Sequence, residues 1–111
     1  TELYWLGWEA GTADISQILN TVFDSERIPP NGWNTMFYTN PKMDELRAAI
    51  AQEVDSGRRM ELAGEIQNLL MNDAPWVPLY SYVQVTAYDN GLSGIEYLPT
   101  DVYRLKNVTF Q

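Results

Sequence analysis

Asp14, Asn40 and Asp55 each stand directly before apolar residues at helical spacing, and no other feature limits the fold of this chain as much. A side-chain oxygen at the N-cap satisfies one of the free N–H groups that open a helix, so such a residue before a periodic stripe marks a start. After Asp14 the stripe is Ile15, Ile18, Leu19, Val22 and Phe23, the i, i+3, i+4, i+7, i+8 pattern of one buried face. Gln17, three residues on from Asp14, completes a pair of the capping-box kind. Pro41 follows Asn40 at the first helical position, where its missing N–H is no loss. Met43, Leu46, Ile50 and Val54 form the second stripe. Asp55-Ser56-Gly57 ends that helix and opens a third that runs to the neighbourhood of Asn72, with Met60, Leu62, Ala63, Ile66, Leu69 and Leu70 facing its core. So short a link predicts an antiparallel helical hairpin.

The remainder reads as extended or looped. Leu3, Tyr4, Trp5 and Leu6 suit a pleated sheet, so residues 1–8 are expected to form a strand ending at Gly7-Trp8. Glu9 to Ala13 is a small-residue loop. From Asp24 to Thr39 the chain loops again, punctuated by Pro29-Pro30-Asn31-Gly32. Trp33, Met36, Phe37 and Tyr38 are expected to anchor that loop with a small core of their own. After Ala74-Pro75, residues 81–88 alternate: Val83, Val85 and Ala87 on one face, Tyr82, Gln84, Thr86 and Tyr88 on the other, the pattern of a strand. Turns are expected at Asp89-Asn90-Gly91 and near Pro99-Thr100-Asp101. The fold class is therefore α/β: a strand and helix, a helical hairpin, then C-terminal strands.

Composition removes whole classes of function. The net charge is −8, from 15 acidic and 7 basic side chains. Such a surface repels phosphate backbones and anionic membranes, so nucleic acid is no partner. Cysteine and histidine are both absent, which excludes disulfides, thiolate chemistry and the commonest general base and metal ligand. There is no glycine-rich phosphate loop and no nucleophile–base–acid set. Glu9 and Asp14 do not make a glycosidase pair, because nothing fixes the separation of a loop carboxylate and a capping one. No catalytic residue, metal site or cofactor is expected, and the chain is read as a non-enzyme. No apolar run approaches the roughly 20 residues that span a bilayer. The absent initiator Met and the strand-like opening suggest a piece of a longer protein.

Several short motifs occur in one order: Gly7-Trp8, the helix opened by Asp14, Tyr38-Thr39-Asn40-Pro41-Lys42-Met43-Asp44-Glu45-Leu46, Asp55-Ser56-Gly57-Arg58-Arg59, and Asn72-Asp73-Ala74-Pro75-Trp76-Val77-Pro78-Leu79-Tyr80. This order resembles the C-terminal part of the family 5 bacterial extracellular solute-binding proteins, the oligopeptide, dipeptide and nickel-type group. The resemblance covers essentially the whole chain. It implies part of a two-lobed fold of the periplasmic-binding-protein type II kind, with residues 1–80 in the second lobe and 81–111 crossing a hinge near Tyr80–Val83 back to the first. It implies the substrate-binding component of an ABC importer, a monomer, periplasmic or extracellular and membrane-associated, whose partners are a small-molecule or peptide ligand and the permease subunits.

Six residues stand out as ligand contacts. Trp8 matches a tryptophan that lies at the ligand cleft in peptide-binding relatives. Those relatives carry an acidic residue three positions later, paired with the peptide's ammonium, and here that position is Gly11. A buried ammonium without a counter-charge is costly by several kcal/mol, so an oligosaccharide or other polar organic solute stands beside a peptide as the ligand. Glu9 is the nearby carboxylate open to replace the missing one, whereas Asp14 serves as a helix cap. Thr12 precedes a helix N-terminus, whose free N–H groups favour anions and hydroxyls. Tyr80 and Tyr82 fall at the hinge crossing, and one of the two is expected at the ligand. Arg58 and Arg59 are read as a solvated pair. The rival to all of this is a stand-alone interaction module.

Overall fold

Each expected helix begins where a capping side chain stands. The computed structural model describes residues 5–81 and 83–110, and its first helix, α1, spans Ile15–Val22. Asp14 caps it by accepting the Ser16 N–H at 2.7 Å, while the Gln17 N–H reaches the Asp14 main-chain oxygen at 3.2 Å. Helix α2 spans Pro41–Gln52, its cap Asn40 accepting the Lys42 N–H at 2.9 Å. Helix α3 spans Ser56–Asp73, and Asp55 accepts the Arg58 N–H at 2.7 Å. Ala74 closes α3 in the left-handed conformation, at φ 45° and ψ 50°, and Pro75 prevents any continuation.

Two of the expected core positions are not core. Val54 lies past the end of α2 and is 94% exposed. The Glu53 carboxylate accepts the N–H groups of both Val54 and Asp55 at 2.9 Å, which offers the backbone an alternative to another helical turn. Met60 is 75% exposed. It stands two residues before Leu62, about 200° around the helix from the face that Leu62 and Ile66 bury.

Residues 14–79 form one compact unit. Leu19, Val22 and Phe23 from the first helix and its end pack with Met43, Leu46 and Ile50 of α2 and with Leu62 and Ile66 of α3, all buried. The Phe23 ring meets Trp76 edge-on at 4.8 Å and Tyr38 at 6.3 Å. The loop between α1 and α2 contains a short 3-10 turn, Ser25–Arg27. Its anchor is polar, not the aromatic cluster expected: Trp33 and Phe37 are exposed. Asn34 is fully buried instead. Its Nδ2 donates to the carbonyls of Asp24 at 3.0 Å and Tyr38 at 2.7 Å, and its Oδ1 accepts the Tyr38 N–H at 3.0 Å. Gly32 is required where this loop doubles back, since a Cβ there would lie 2.7 Å from Cβ of Arg27. Buried Asp24 is paired with Arg47 at 3.3 Å.

The flanking segments, residues 5–13 with 80–110, form a second unit. It contains two small antiparallel sheets. In one, β1 (Leu92–Ser93) pairs with β4 (Thr109–Phe110), placing Leu92 opposite Phe110. In the other, β2 (Glu96–Leu98) and β3 (Val102–Arg104) form a hairpin with Tyr97 opposite Tyr103. Gly94 has φ 79°, and a Cβ on it would collide with the Asn107 carbonyl oxygen, so only glycine fits where these segments approach. The turn at residues 89–91 is present, with Asp89 accepting the Gly91 N–H at 2.7 Å. The expected strands differ. Trp5–Trp8 and residues 83–88 carry no ladder, and residues 1–4 and Tyr82 lie outside the described residues. Alternation specifies which side chains share a face, but a strand exists only through a neighbour's hydrogen bonds. The architecture is thus mixed helix and small sheet.

Candidate functional site

Of the six residues singled out from the sequence, Trp8, Glu9, Gly11, Thr12 and Tyr80 are described and all belong to the second unit; Tyr82 lies outside the described residues. Tyr80 is exposed, and its ring lies 5.8 Å from that of Trp5, tilted by 51°. Trp8 is half-buried, with its indole nitrogen shielded from solvent. Gly11 and Thr12 are exposed on the loop that leads to α1.

Glu9 belongs to a cluster of polar and aromatic groups. A hydrogen bond to the Asp101 carboxylate raises the Glu9 carboxyl above its ordinary range; desolvation and the Asp101 charge act in the same direction. Asp101 also accepts a hydrogen bond from the Tyr97 hydroxyl, which pushes that phenol up to about 12. Tyr97 packs on Tyr103 with ring centroids 5.2 Å apart. The Tyr103 hydroxyl in turn bonds to Thr86 and accepts from the Gln84 amide at 3.3 Å. The hairpin positions these groups. Its turn holds Asp101 at φ 58°, with the Asp101 N–H on the Leu98 carbonyl at 3.1 Å. The arrangement offers carboxylate oxygens beside phenol rings, a combination suited to an ammonium or to several hydroxyls.

Trp5, Tyr97, Asp101 and Tyr103 were not singled out from the sequence. The Tyr97–Tyr103 pairing was readable, because the two flank the turn at Pro99-Thr100-Asp101 symmetrically. The approach of Asp101 to Glu9 had no signal, since no local rule joins residues so far apart in the chain.

Within residues 14–79 the motifs have a structural explanation. The Tyr38 hydroxyl and the Asn40 amide both donate to Asp73 Oδ2 at 2.6 Å, so the segment that opens α2 is clamped to the residue that ends α3. These two hydrogen bonds hold the Asp73 carboxyl below its ordinary range. Desolvation, then the bond to Asp73, raises the Tyr38 phenol. Arg59 is not solvated as expected: Nη1 donates to the carbonyls of Ile50 and Glu53, and Nη2 pairs with Asp14. Arg58 does lie on the open surface, paired with Glu61 at 2.7 Å. Among the described residues no helix is long and apolar enough to cross a membrane.

The chain matches no protein-family model and no solved structure. It is similar to curated proteins named glutathione-binding protein GsiB. The one from Salmonella typhimurium is 31% identical over 97 residues, which cover 87% of this chain and 19% of that protein. The one from Escherichia coli strain K12 is 27% identical over 109 residues, or 98% of this chain and 21% of that protein. The chain spans about a fifth of the length of the curated relatives it matches.

Proposed function

We propose that the chain belongs to the family 5 extracellular solute-binding proteins and that it is part of the solute-capturing component of an ABC importer, which holds a peptide or peptide-like solute outside the cytoplasm and delivers it to a membrane permease. The observation that carries this reading is the likeness to proteins named for binding glutathione, along nearly the whole chain. The clamp of Tyr38 and Asn40 on Asp73 supports it, because it gives two motifs of the resemblance one shared structural purpose.

In this reading the protein is a non-catalytic, periplasmic monomer with two lobes. Residues 1–80 contribute to the second lobe, and residues 81–111 cross the hinge and return to the first. Ligand favours the closed arrangement through differential affinity, with no covalent step. Trp8, Glu9, Gly11, Thr12, Tyr80 and Tyr82 contact the solute. Glu9, with Asp101 beside it, supplies the negative charge that Gly11 lacks, and an ammonium between the two carboxyls relieves their repulsion. The exposed rings of Trp5 and Tyr80 also favour a second reading, an oligosaccharide or other polar organic solute stacked on aromatic faces.

Calorimetry on the full-length gene product separates the two. Glutathione and short peptides are expected to bind saturably, and N-acetylation or Glu9→Gln is expected to weaken them. Saturable binding of oligosaccharides with none of peptides would replace the first reading by the second.

A further inference from the structure

Within the unit of residues 5–13 and 80–110, the Asp101 carboxylate is already committed on one side. The turn between β2 and β3 holds Asp101 at φ 58°, a conformation that aspartate tolerates, with its N–H on the Leu98 carbonyl at 3.1 Å. Its Oδ1 accepts the hydroxyl of Tyr97, four residues back across that turn. The phenol is pushed up to about 12, so at neutral pH it keeps the proton that it donates. The Tyr97 ring is itself held. It packs on Tyr103 with centroids 5.2 Å apart, and the Tyr103 hydroxyl is engaged by Thr86 and by Gln84 at 3.3 Å. Glu9 meets the Asp101 carboxylate from the loop of residues 9–13. Asp101 thus enters the acidic pair with Oδ1 already bonded.

Two kinds of cation read such a carboxylate differently. A guanidinium is planar, and its strongest pairing sets two N–H groups on both oxygens of one carboxylate at once. A primary ammonium is a compact charge with three donors, and one oxygen from each of two carboxylates satisfies it. The Tyr97 hydroxyl competes with the guanidinium fork for Oδ1 and leaves the ammonium pairing intact. We infer that Tyr97 is a specificity-determining residue of this site: by engaging one oxygen of Asp101 it favours solutes that present a primary ammonium over those that present a guanidinium. The inference rests on the proposed role of Glu9 and Asp101 as the anionic end of the solute site, and adds the class of cation which that end accepts. A hydroxyl that only tied the hairpin turn together would leave the choice between the two cations unchanged.

The test uses the full-length gene product and glutathione in two forms, with its α-amine intact and with that amine converted to a guanidine. Calorimetry should give the amine form about three- to tenfold the affinity of the guanidine form, the scale of one net hydrogen bond. Tyr97→Phe keeps the ring on Tyr103 and removes only the hydroxyl, and should abolish that preference. Glu96→Gln removes a charge from the same hairpin, where Glu96 pairs with Arg104 at 3.1 Å, and should leave the preference as it is. A preference unchanged in Tyr97→Phe, or a wild-type preference for the guanidine form, would overturn the inference. So would an Asp101 amide resonance showing the turn lost in Tyr97→Phe, which would assign Tyr97 to the fold. If the wild-type protein binds neither form, the solute reading fails, and the side-chain carboxyl resonance of Asp101 decides alone. In the wild-type protein it should move further with methylammonium than with methylguanidinium, and in Tyr97→Phe the difference should vanish. Equal responses in the wild-type protein would leave Tyr97 no part in the choice of cation.

Discussion

Residues 14–79 bury eight apolar side chains, whereas the described residues of 5–13 and 80–110 bury none. Composition does not explain the difference. Leu79, at the end of the first unit, and Tyr80, Val83, Val85, Leu105 and Phe110, in the second, are as apolar as the helical core, and all are exposed. What differs is how each kind of element satisfies its backbone. A helix pairs its own N–H and C=O groups and needs only one stripe to be covered, which three capped helices do for one another. A strand needs a neighbour at the right register, and β1 to β4 offer only two or three residues each. One unit is therefore specified by its own local sequence, and the other takes its order from pairings between distant segments.

The largest expected effect challenges this contrast directly. Ile50→Ala should destabilise the helical unit by about 2–4 kcal/mol, because Ile50 is fully buried and the surroundings of such a cavity relax only in part. Val85→Ala removes an exposed side chain, 84% accessible, and should stay within about 0.5 kcal/mol. Urea denaturation followed by the helical circular-dichroism signal measures both. Comparable losses in the two variants would break the comparison.

A polar substitution should come close behind. Asn34→Ala takes this partner from the Tyr38 carbonyl and N–H and leaves the Asp24 carbonyl with the Arg27 N–H alone, and should destabilise the unit by about 2–3 kcal/mol in the same experiment. This residue also marks a boundary of what could be read from the sequence. Asp14, Asn40 and Asp55 were legible because a cap and its stripe are neighbours in the chain. Asn34 was not, since an asparagine in a loop looks the same whether it faces water or the core. The aromatic residues around it drew the reading toward Trp33 and Phe37, which face solvent. The strand patterns of residues 5–8 and 83–88 were legible as faces but not as partners. In the candidate site the same limit applies: Glu9 was visible as a lone loop carboxylate, while Asp101 became relevant only when the hairpin brought it alongside. Arg59 was misread for a related reason, as its three acceptors come from two other helix ends.

A smaller effect sharpens the description of the helical unit. Ala74 holds a left-handed conformation at φ 45°, which strains any residue with a Cβ. Ala74→Gly should relieve that strain and stabilise the unit by about 0.5–1 kcal/mol, part of the gain being offset by the greater freedom of glycine in the unfolded chain. A rise in the urea midpoint at unchanged slope is the expected result. A fall would mean that the packing of the Ala74 methyl outweighs its backbone cost.

The smallest effects should distinguish the two units by sign. In the helical unit, the Ser16 N–H and hydroxyl, followed by Arg59, hold Asp14 below its ordinary range, and Tyr38 and Asn40 do the same for Asp73. Their contacts are fully present above the unfolded carboxylate value of about 4 and are lost as pH falls through the lowered values. In the second unit the Glu9 carboxyl is raised by its hydrogen bond to Asp101. That contact is fully present below about 4 and is lost as pH rises through the raised value. Acidification should therefore loosen the cap of α1 and the clamp of Tyr38 and Asn40 on Asp73 while drawing residues 9–13 toward the hairpin, and side-chain carboxyl resonances followed by NMR should show the two movements crossing. The same titration carried to alkali should leave Tyr97 bonded to Asp101 until the pH approaches about 12. A Glu9 carboxyl that titrates at or below its ordinary value would remove the acidic pair from the candidate site. The cap of α1 and the clamp on Asp73 would be untouched by that result, because none of their partners lies in the hairpin.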